Sequence, residues 1–144
     1  MEPAFVPATE ADLPYLLDLS IRVLRADLER VGRFDPARRE RRLRATFDKG
    51  GLCLIRQGSE TRGCAQLLRH PDHLEITSLY LEPTAQGLGL GRAVVAALLA
   101  RAPELPARLE ALKGAPARAF WERMGFVVTG EAGVDWHMEH PPRA

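Results

Sequence analysis

The stretch Leu79-Tyr80-Leu81-Glu82-Pro83-Thr84-Ala85-Gln86-Gly87-Leu88-Gly89-Leu90-Gly91-Arg92 decides the fold. Residues 73–81 read as a strand rich in Ile, Thr, Leu and Tyr, which Pro83 closes. Beyond the glycines, Leu90, Ala93, Val94, Ala97 and Leu98 recur at helical spacing, ending near Pro103. A strand that enters a helix through Gly87, Gly89 and Gly91 can take backbone angles closed to other residues and lets a ligand approach bare main chain. The loop amides and the positive helix end then form a seat for phosphate oxygens. Two other phosphate-binding patterns are not met. Gly89-x-Gly91 leads to Val94 and Gly87-x-Gly89 leads to Arg92, so the dinucleotide fingerprint fails, and no Gly-Lys-Ser or Gly-Lys-Thr is present.

Working outward, Phe5-Val6 reads as a short strand, and Thr9-Glu10-Ala11-Asp12 carries a capping signal in which the Thr hydroxyl accepts from amides of the first turn. The helix after it reaches about Arg30, with an apolar stripe of Leu13, Leu16, Leu17, Ile21, Leu24 and Leu28, and Gly32 ends it. Asp35 and Pro36 open a second helix toward Phe47. Residues 52–55 and 64–68, joined by Gln57-Gly58-Ser59, read as a hairpin. Downstream come a strand at 108–112, a helix at 116–124 closed by Gly125, a strand at 126–129 and a final hairpin strand at 134–138. This order describes an α/β (α+β) chain with a mixed sheet and helices on its faces.

Composition narrows the classes. The 144 residues suit one domain, and 20 basic against 19 acidic side chains give a net charge of +1, which singles out neither nucleic acid nor an anionic membrane. Cys53 and Cys64 stand in apolar strands without Cys-x-x-Cys spacing and read as packed hydrophobes, not a disulfide or metal pair. No metal is expected. No apolar run has bilayer length, and residues 1–10 lack the pattern of a secretion signal, so a cytoplasmic setting is the expectation. The run Arg38-Arg39-Glu40-Arg41-Arg42-Leu43-Arg44 reads as a solvated helix face, with an acidic acceptor, a cofactor phosphate or nucleic acid as alternatives. No aromatic residues interleave it, which argues against single-stranded nucleic acid.

Gln86-x-x-Gly89-x-Gly91, after a strand ending Leu81-x-Pro83, resembles the coenzyme A loop of the GNAT N-acetyltransferases. Residues 116–126, Pro-Ala-Arg-Ala-Phe-Trp-Glu-Arg-Met-Gly-Phe, are similar to the segment that family usually writes Ala-x-x-Phe-Tyr-Glu-x-x-Gly-Phe. The resemblance implies a single GNAT-like domain over 1–144, a mostly antiparallel sheet of six to seven strands with about four helices, and acetyl-CoA as co-substrate. It implies transfer to a primary amine of a small molecule or peptide by direct attack. An acyl-CoA sensor with little or no transferase activity is the alternative. Members are often dimers, and acceptors commonly bind in the variable segment between residues 30 and 50.

For individual residues, the resemblance assigns the pantetheine arm to backbone groups of Leu79, Tyr80 and Leu81, and the phosphates to Gln86, Gly87, Leu88, Gly89, Leu90, Gly91 and Arg92. Ala115, Arg118, Phe120 and Trp121 belong to the cofactor side of the second motif. Glu75 is the candidate general base, eleven residues before Gln86 as in the histone-acetyltransferase branch, with His73 and Glu82 in reserve. Trp121 takes the place of the family's proton-donating Tyr. Its indole N–H does not titrate in this range. A thiolate of ordinary pKa about 8.5 leaves without such help, taking its proton from water. Ala115 replaces a frequent Asn.

Overall fold

A computed structural model describes residues 2–143. Its elements are β1 (Ala4–Pro7), α1 (Leu13–Arg30), α2 (Pro36–Asp48), β2 (Leu52–Gln57), β3 (Glu60–Arg69), β4 (Leu74–Leu81), α3 (Leu90–Leu99), β5 (Ala107–Leu112), α4 (Ala117–Arg123), β6 (Val127–Ala132) and β7 (Asp135–His140). The strand order is β1-β2-β3-β4-β5-β7-β6. Pairs β1/β2, β2/β3, β5/β7 and β6/β7 are antiparallel, and β4/β5 is parallel. Seven strands and four helices match the expected mixed, mostly antiparallel architecture. The chain divides into two compact units, residues 1–66 with 78–93 and residues 67–77 with 94–144.

In the first unit the opening turn is a 3-10 helix at Glu10–Asp12. There the Asp12 carboxylate accepts from the Thr9 amide at 2.8 Å and from its hydroxyl at 3.2 Å. Asp35 caps α2 as expected, its Oδ1 accepting from the Ala37 amide at 3.0 Å. The buried stripe of α1 is rotated from the expected one. Leu13, Leu16, Leu19 and Ser20 are buried, while Leu17, Ile21, Leu24 and Leu28 are half-exposed. Leu13, Leu16 and Leu19 form a core with Leu52, Leu54 and Cys64, against which Tyr15, Val23, Leu43, Phe47 and Tyr80 pack. Ser20 is tolerated there because its hydroxyl donates to Leu17 O at 2.9 Å. The cysteines are unbridged, and burial pushes the Cys64 thiol up to about 12. It packs as a hydrophobe.

A bulge in this unit brings β3 close to the end of β4. The β2/β3 register shifts between Ile55↔Gly63 and Arg56↔Thr61, which leaves Arg62 as the extra residue. At the neighbouring Gly63, a Cβ would lie 2.1 Å from Tyr80 O and 2.9 Å from Leu81 Cα. Glycine there lets the two backbones close up, and the Glu82 amide donates to Arg62 O at 2.7 Å.

In the second unit, β5 pairs with β7 over six residues, from Ala107↔His140 to Leu112↔Asp135. The parallel ladder of β4 with β5 comprises Leu74↔Ala107 and Glu75↔Arg108. Leu74, Ile76, Ala107, Leu109, Ala111, Trp121, Phe126 and Met138 are buried. Among the described residues, no helix is long and apolar enough to cross a membrane.

Candidate functional site

The glycine loop is exposed and held open by its backbone. Gly87 and Gly89 take φ of 77° and 80°, in the left-handed region, and a Cβ on either would meet nothing within 4 Å. Gly91 is different: it lies inside the first turn of α3 and needs no special backbone angle. The amide of Ala93 reaches back to Gly89 O at 3.2 Å. Leu90, Gly91 and Arg92 therefore present the first-turn amides that have no intrahelical acceptor. Leu90 anchors the turn in the core, while Leu88 is 75% exposed and Arg92 is also exposed. A site made of amides and a helix end favours an anion without needing a particular side chain.

Gln86 plays a part the sequence did not disclose. Its Nε2 donates to Leu81 O at 3.1 Å, so the side chain ties the loop to the end of β4. Leu81 O is thereby already engaged. Leu79, Tyr80 and Leu81 are half-buried, and Tyr80 faces the α1 and α2 core. Burial pushes the Tyr80 hydroxyl up. Just before them Ser78 takes φ of 52°, and its carbonyl accepts from the Cys64 thiol at 3.3 Å. Among the described residues the ladder of β4 with β5 runs over Leu74 and Glu75, and Leu79 and Tyr80 follow on the same strand.

Two residues not singled out in the sequence also reach the loop. A pocket of about 170 Å³ is lined by Gln57, Arg62, Ala85, Leu88, Gly89, Leu90 and Ala93. The Arg62 Nε is buried without a hydrogen-bond partner, and its Nη1 meets the exposed Glu60 at 3.2 Å. The signal was the basic residue before Gly63, which acquires meaning only once the bulge is seen. A larger groove, about 800 Å³, lies along α1 and α2, with Leu13, Leu17 and Leu43 on its floor and Glu10, Arg41 and Arg44 on its rim. Arg44 pairs with Glu10 at 2.6 Å. Of the run's other arginines, Arg41 and Arg42 are exposed as a solvated face requires, whereas Arg38 and Arg39 are half-buried and the Arg39 Nε is buried without a hydrogen-bond partner.

Of the candidate bases, Glu82 is tethered. Arg22 grips both its oxygens at 2.8 and 2.9 Å, and Tyr15 donates to it at 2.9 Å. The bonded Arg22 guanidinium, with Tyr15 adding to it, holds the Glu82 carboxyl below the usual range. A carboxylate so stabilised is a poor proton acceptor. His73 is occupied by Asp72, Nδ1 to Oδ1 at 2.7 Å. That bond holds the Asp72 carboxyl below its ordinary value. Glu75, the last β4 residue in the β5 ladder, is 37% exposed and meets His70 Nε2 at 2.9 Å.

The α4 segment forms an aromatic cluster. Trp121 is 7% exposed and packs edge-on against Phe120 and Phe126, each with ring centres 5.1 Å away. Its carbonyl accepts from the amides of Met124 and Phe126, closing the helix. Arg118 lies 4.6 Å over the Trp136 ring and 3.5 Å from Glu122. Ala115 donates its amide to Leu112 O at 3.4 Å.

The sequence matches the acetyltransferase (GNAT) family over residues 19–126. Solved structures of the same fold include a histone acetyltransferase HPA2 and related acetyltransferase from Corynebacterium glutamicum. It is 23% identical, with 100% of this chain and 98% of that one covered, at a TM-score of 0.73. The PaiA N-acetyltransferase of Thermoplasma acidophilum, in complex with coenzyme A, is 18% identical over 98% and 99% of the two chains, at 0.74. An acetyltransferase from Thermus thermophilus is 20% identical over 96% of each, at 0.76. No curated protein matches the sequence. Identities this low show a shared fold. The family match goes further, because it takes in both the glycine loop and the α4 segment. The chain therefore belongs to the GNAT acetyltransferases, whose general chemistry is acyl transfer from acetyl-CoA.

Proposed function

We propose that this protein transfers an acetyl group from acetyl-CoA to a primary amine, carried by a small molecule or a peptide, by direct attack in a ternary complex. Residues 1–144 act as one catalytic domain. The observation that carries this reading is the exposed loop, in which Gly87 and Gly89 clear the space before a helix start whose first-turn amides have no intrahelical acceptor. Acetyl-CoA supplies the activated acyl group. Main-chain amides of residues 87–92 hold its diphosphate, and the β4 edge at Leu79 and Tyr80 receives the pantetheine arm. Gln86 positions the loop through Leu81 O. The roles given to Ala115, Arg118 and Phe120 rest on the resemblance of their segment.

Glu75 belongs to the base, since Glu82 is held in its charged form by Arg22 and Tyr15. A covalent route through Cys64 is disfavoured because burial raises its thiol far above neutrality. Trp121, packed among aromatics, supplies no proton, and the departing thiolate takes one from water. That same packing favours a second reading, an acyl-CoA sensor without transfer.

Calorimetry with acetyl-CoA and thiol release against amino acids, polyamines and lysine peptides separate the two. Saturable release that requires an added amine and falls in Glu75→Gln supports the enzyme. Tight binding with no release from any amine supports the sensor, and an absence of binding removes both.

A further inference from the structure

The turn between β3 and β4 gathers four titratable side chains within six residues. His70 Nε2 meets Glu75 Oε1 at 2.9 Å, the rings of His70 and His73 stack at 4.3 Å with an interplanar angle of 12°, and His73 Nδ1 meets Asp72 Oδ1 at 2.7 Å. The His70 amide donates to His73 O at 2.8 Å, which sets the turn. One face of the His70 ring is covered by His73 and one edge nitrogen is held by Glu75. The side chains of His70 and Glu75 are 39% and 37% exposed, so both remain reachable. Nearby charges have their own partners: Arg108, opposite Glu75 on β5, bonds Glu139 of β7 at 2.8 Å, and Arg69 meets Glu104 at 3.2 Å. Among the described residues no three His, Cys, Asp or Glu side chains converge as metal ligands.

We propose that the base is a pair, in which His70 accepts the proton of the acceptor ammonium and Glu75 positions the His70 ring. This inference rests on the amine transfer proposed above. An ionised carboxylate only accepts hydrogen bonds, so the proton between the two groups sits on His70 Nε2, and the lone pair is left on Nδ1. A carboxylate behind an imidazole fixes its tautomer and stabilises the imidazolium that forms. The ammonium gives its first proton to His70 Nδ1, directly or through one water. The amine nitrogen then bonds to the acetyl carbon as the carbon–sulfur bond breaks. The second nitrogen proton leaves through water, which also protonates the thiolate, and His70 returns its own proton to solvent.

The test is thiol release with acetyl-CoA and the same panel of amines for wild type, His70→Gln, His70→Asn and Glu75→Gln, with and without added imidazole. In His70→Gln kcat is expected to fall about 100-fold or more while acetyl-CoA affinity by calorimetry is unchanged. Imidazole in the buffer should restore part of that loss in proportion to its concentration, which a structural role would not permit. Glu75→Gln keeps an acceptor for Nε2–H and should lose less than His70→Gln. The inference is overturned if both His70 variants work within about twofold of wild type, if Glu75→Gln is the deeper loss, or if imidazole restores nothing. A wild type that binds acetyl-CoA yet acetylates no amine sinks the amine transfer itself, a result distinct from an active enzyme indifferent to His70.

Discussion

The loop at residues 86–92 and the turn at residues 70–75 present chemistry in opposite ways. The loop offers main chain: Gly87 and Gly89 clear the space and Leu88 and Arg92 stay out in solvent, so beyond the glycines, the Gln86 tether and the Leu90 anchor, side-chain identity matters little. The turn offers side chains: His70, Asp72, His73 and Glu75 each meet a named partner, and replacing any one changes the chemistry. A main-chain site is specified by what is missing from the sequence, and a side-chain site by what is present. Substitutions should therefore act on the first by sterics and backbone angle, and on the second by charge and proton affinity.

The hardest way to break this contrast is at Gly63. A Cβ there would press on Tyr80 O at 2.1 Å and Leu81 Cα at 2.9 Å, both backbone atoms that no rotamer change can move. Gly63→Val is expected to cost about 3 kcal/mol or more, as overpacking against fixed neighbours does. Urea unfolding measures the loss, and calorimetry of whatever folded protein remains should show acetyl-CoA binding weakened along with it. Retention of wild-type stability and affinity would mean that the β3 to β4 approach is not what holds the cofactor edge.

A smaller effect separates glycines within the loop. Gly89→Ala forces a left-handed angle on a residue with a side chain, at about 1 to 2 kcal/mol, with a roughly tenfold loss of acetyl-CoA affinity. Gly91→Ala sits in helix, where alanine is favoured over glycine by about 1 kcal/mol, so stability should hold or rise. Thermal unfolding of the two variants side by side checks the order. Equal losses would show that the loop's backbone angles are not the source of its geometry.

These residues also show how far the sequence could be read. Elements came through within a few residues because their signals are local: Asp35-Pro36 caps a helix through a bond two residues on, and alternation or helical spacing reports a face wherever the fold places it. What needed the fold was partnership. The stripe of α1 turned toward Leu19 and Ser20 because the sheet, not the helix, chooses the buried face. The final hairpin was expected, but that β7 lies between β5 and β6 is a matter of pairing. Gly63 matters only through Tyr80, Gln86 through Leu81, and Glu75 through a histidine brought round by a turn. The glycine loop was legible since it needs no distant partner.

Glu82 sharpens the comparison with the smallest effect, because it lies beside the main-chain site yet behaves as a structural carboxylate. Its bonds from Arg22 and Tyr15 stabilise the charged form, so its folded pKa lies below the value of about 4.3 expected when unfolded. A depressed folded pKa adds stability that is present above the unfolded value and is lost as pH falls through the folded one. Glu82 is 19% exposed and Arg22 is 38% exposed, so solvent screening limits the contribution to about 1 kcal/mol at neutral pH. Glu82→Gln should accordingly melt about 2 to 4 °C below wild type at pH 7. The difference should close as the pH falls through the lowered folded value, where the native carboxyl begins to resemble the amide. Its kcat should stay within about threefold of wild type, unlike that of the 70–75 turn variants. A collapse of turnover in Glu82→Gln with stability intact would make this residue a candidate base again and remove the distinction between a tethering carboxylate and a working one.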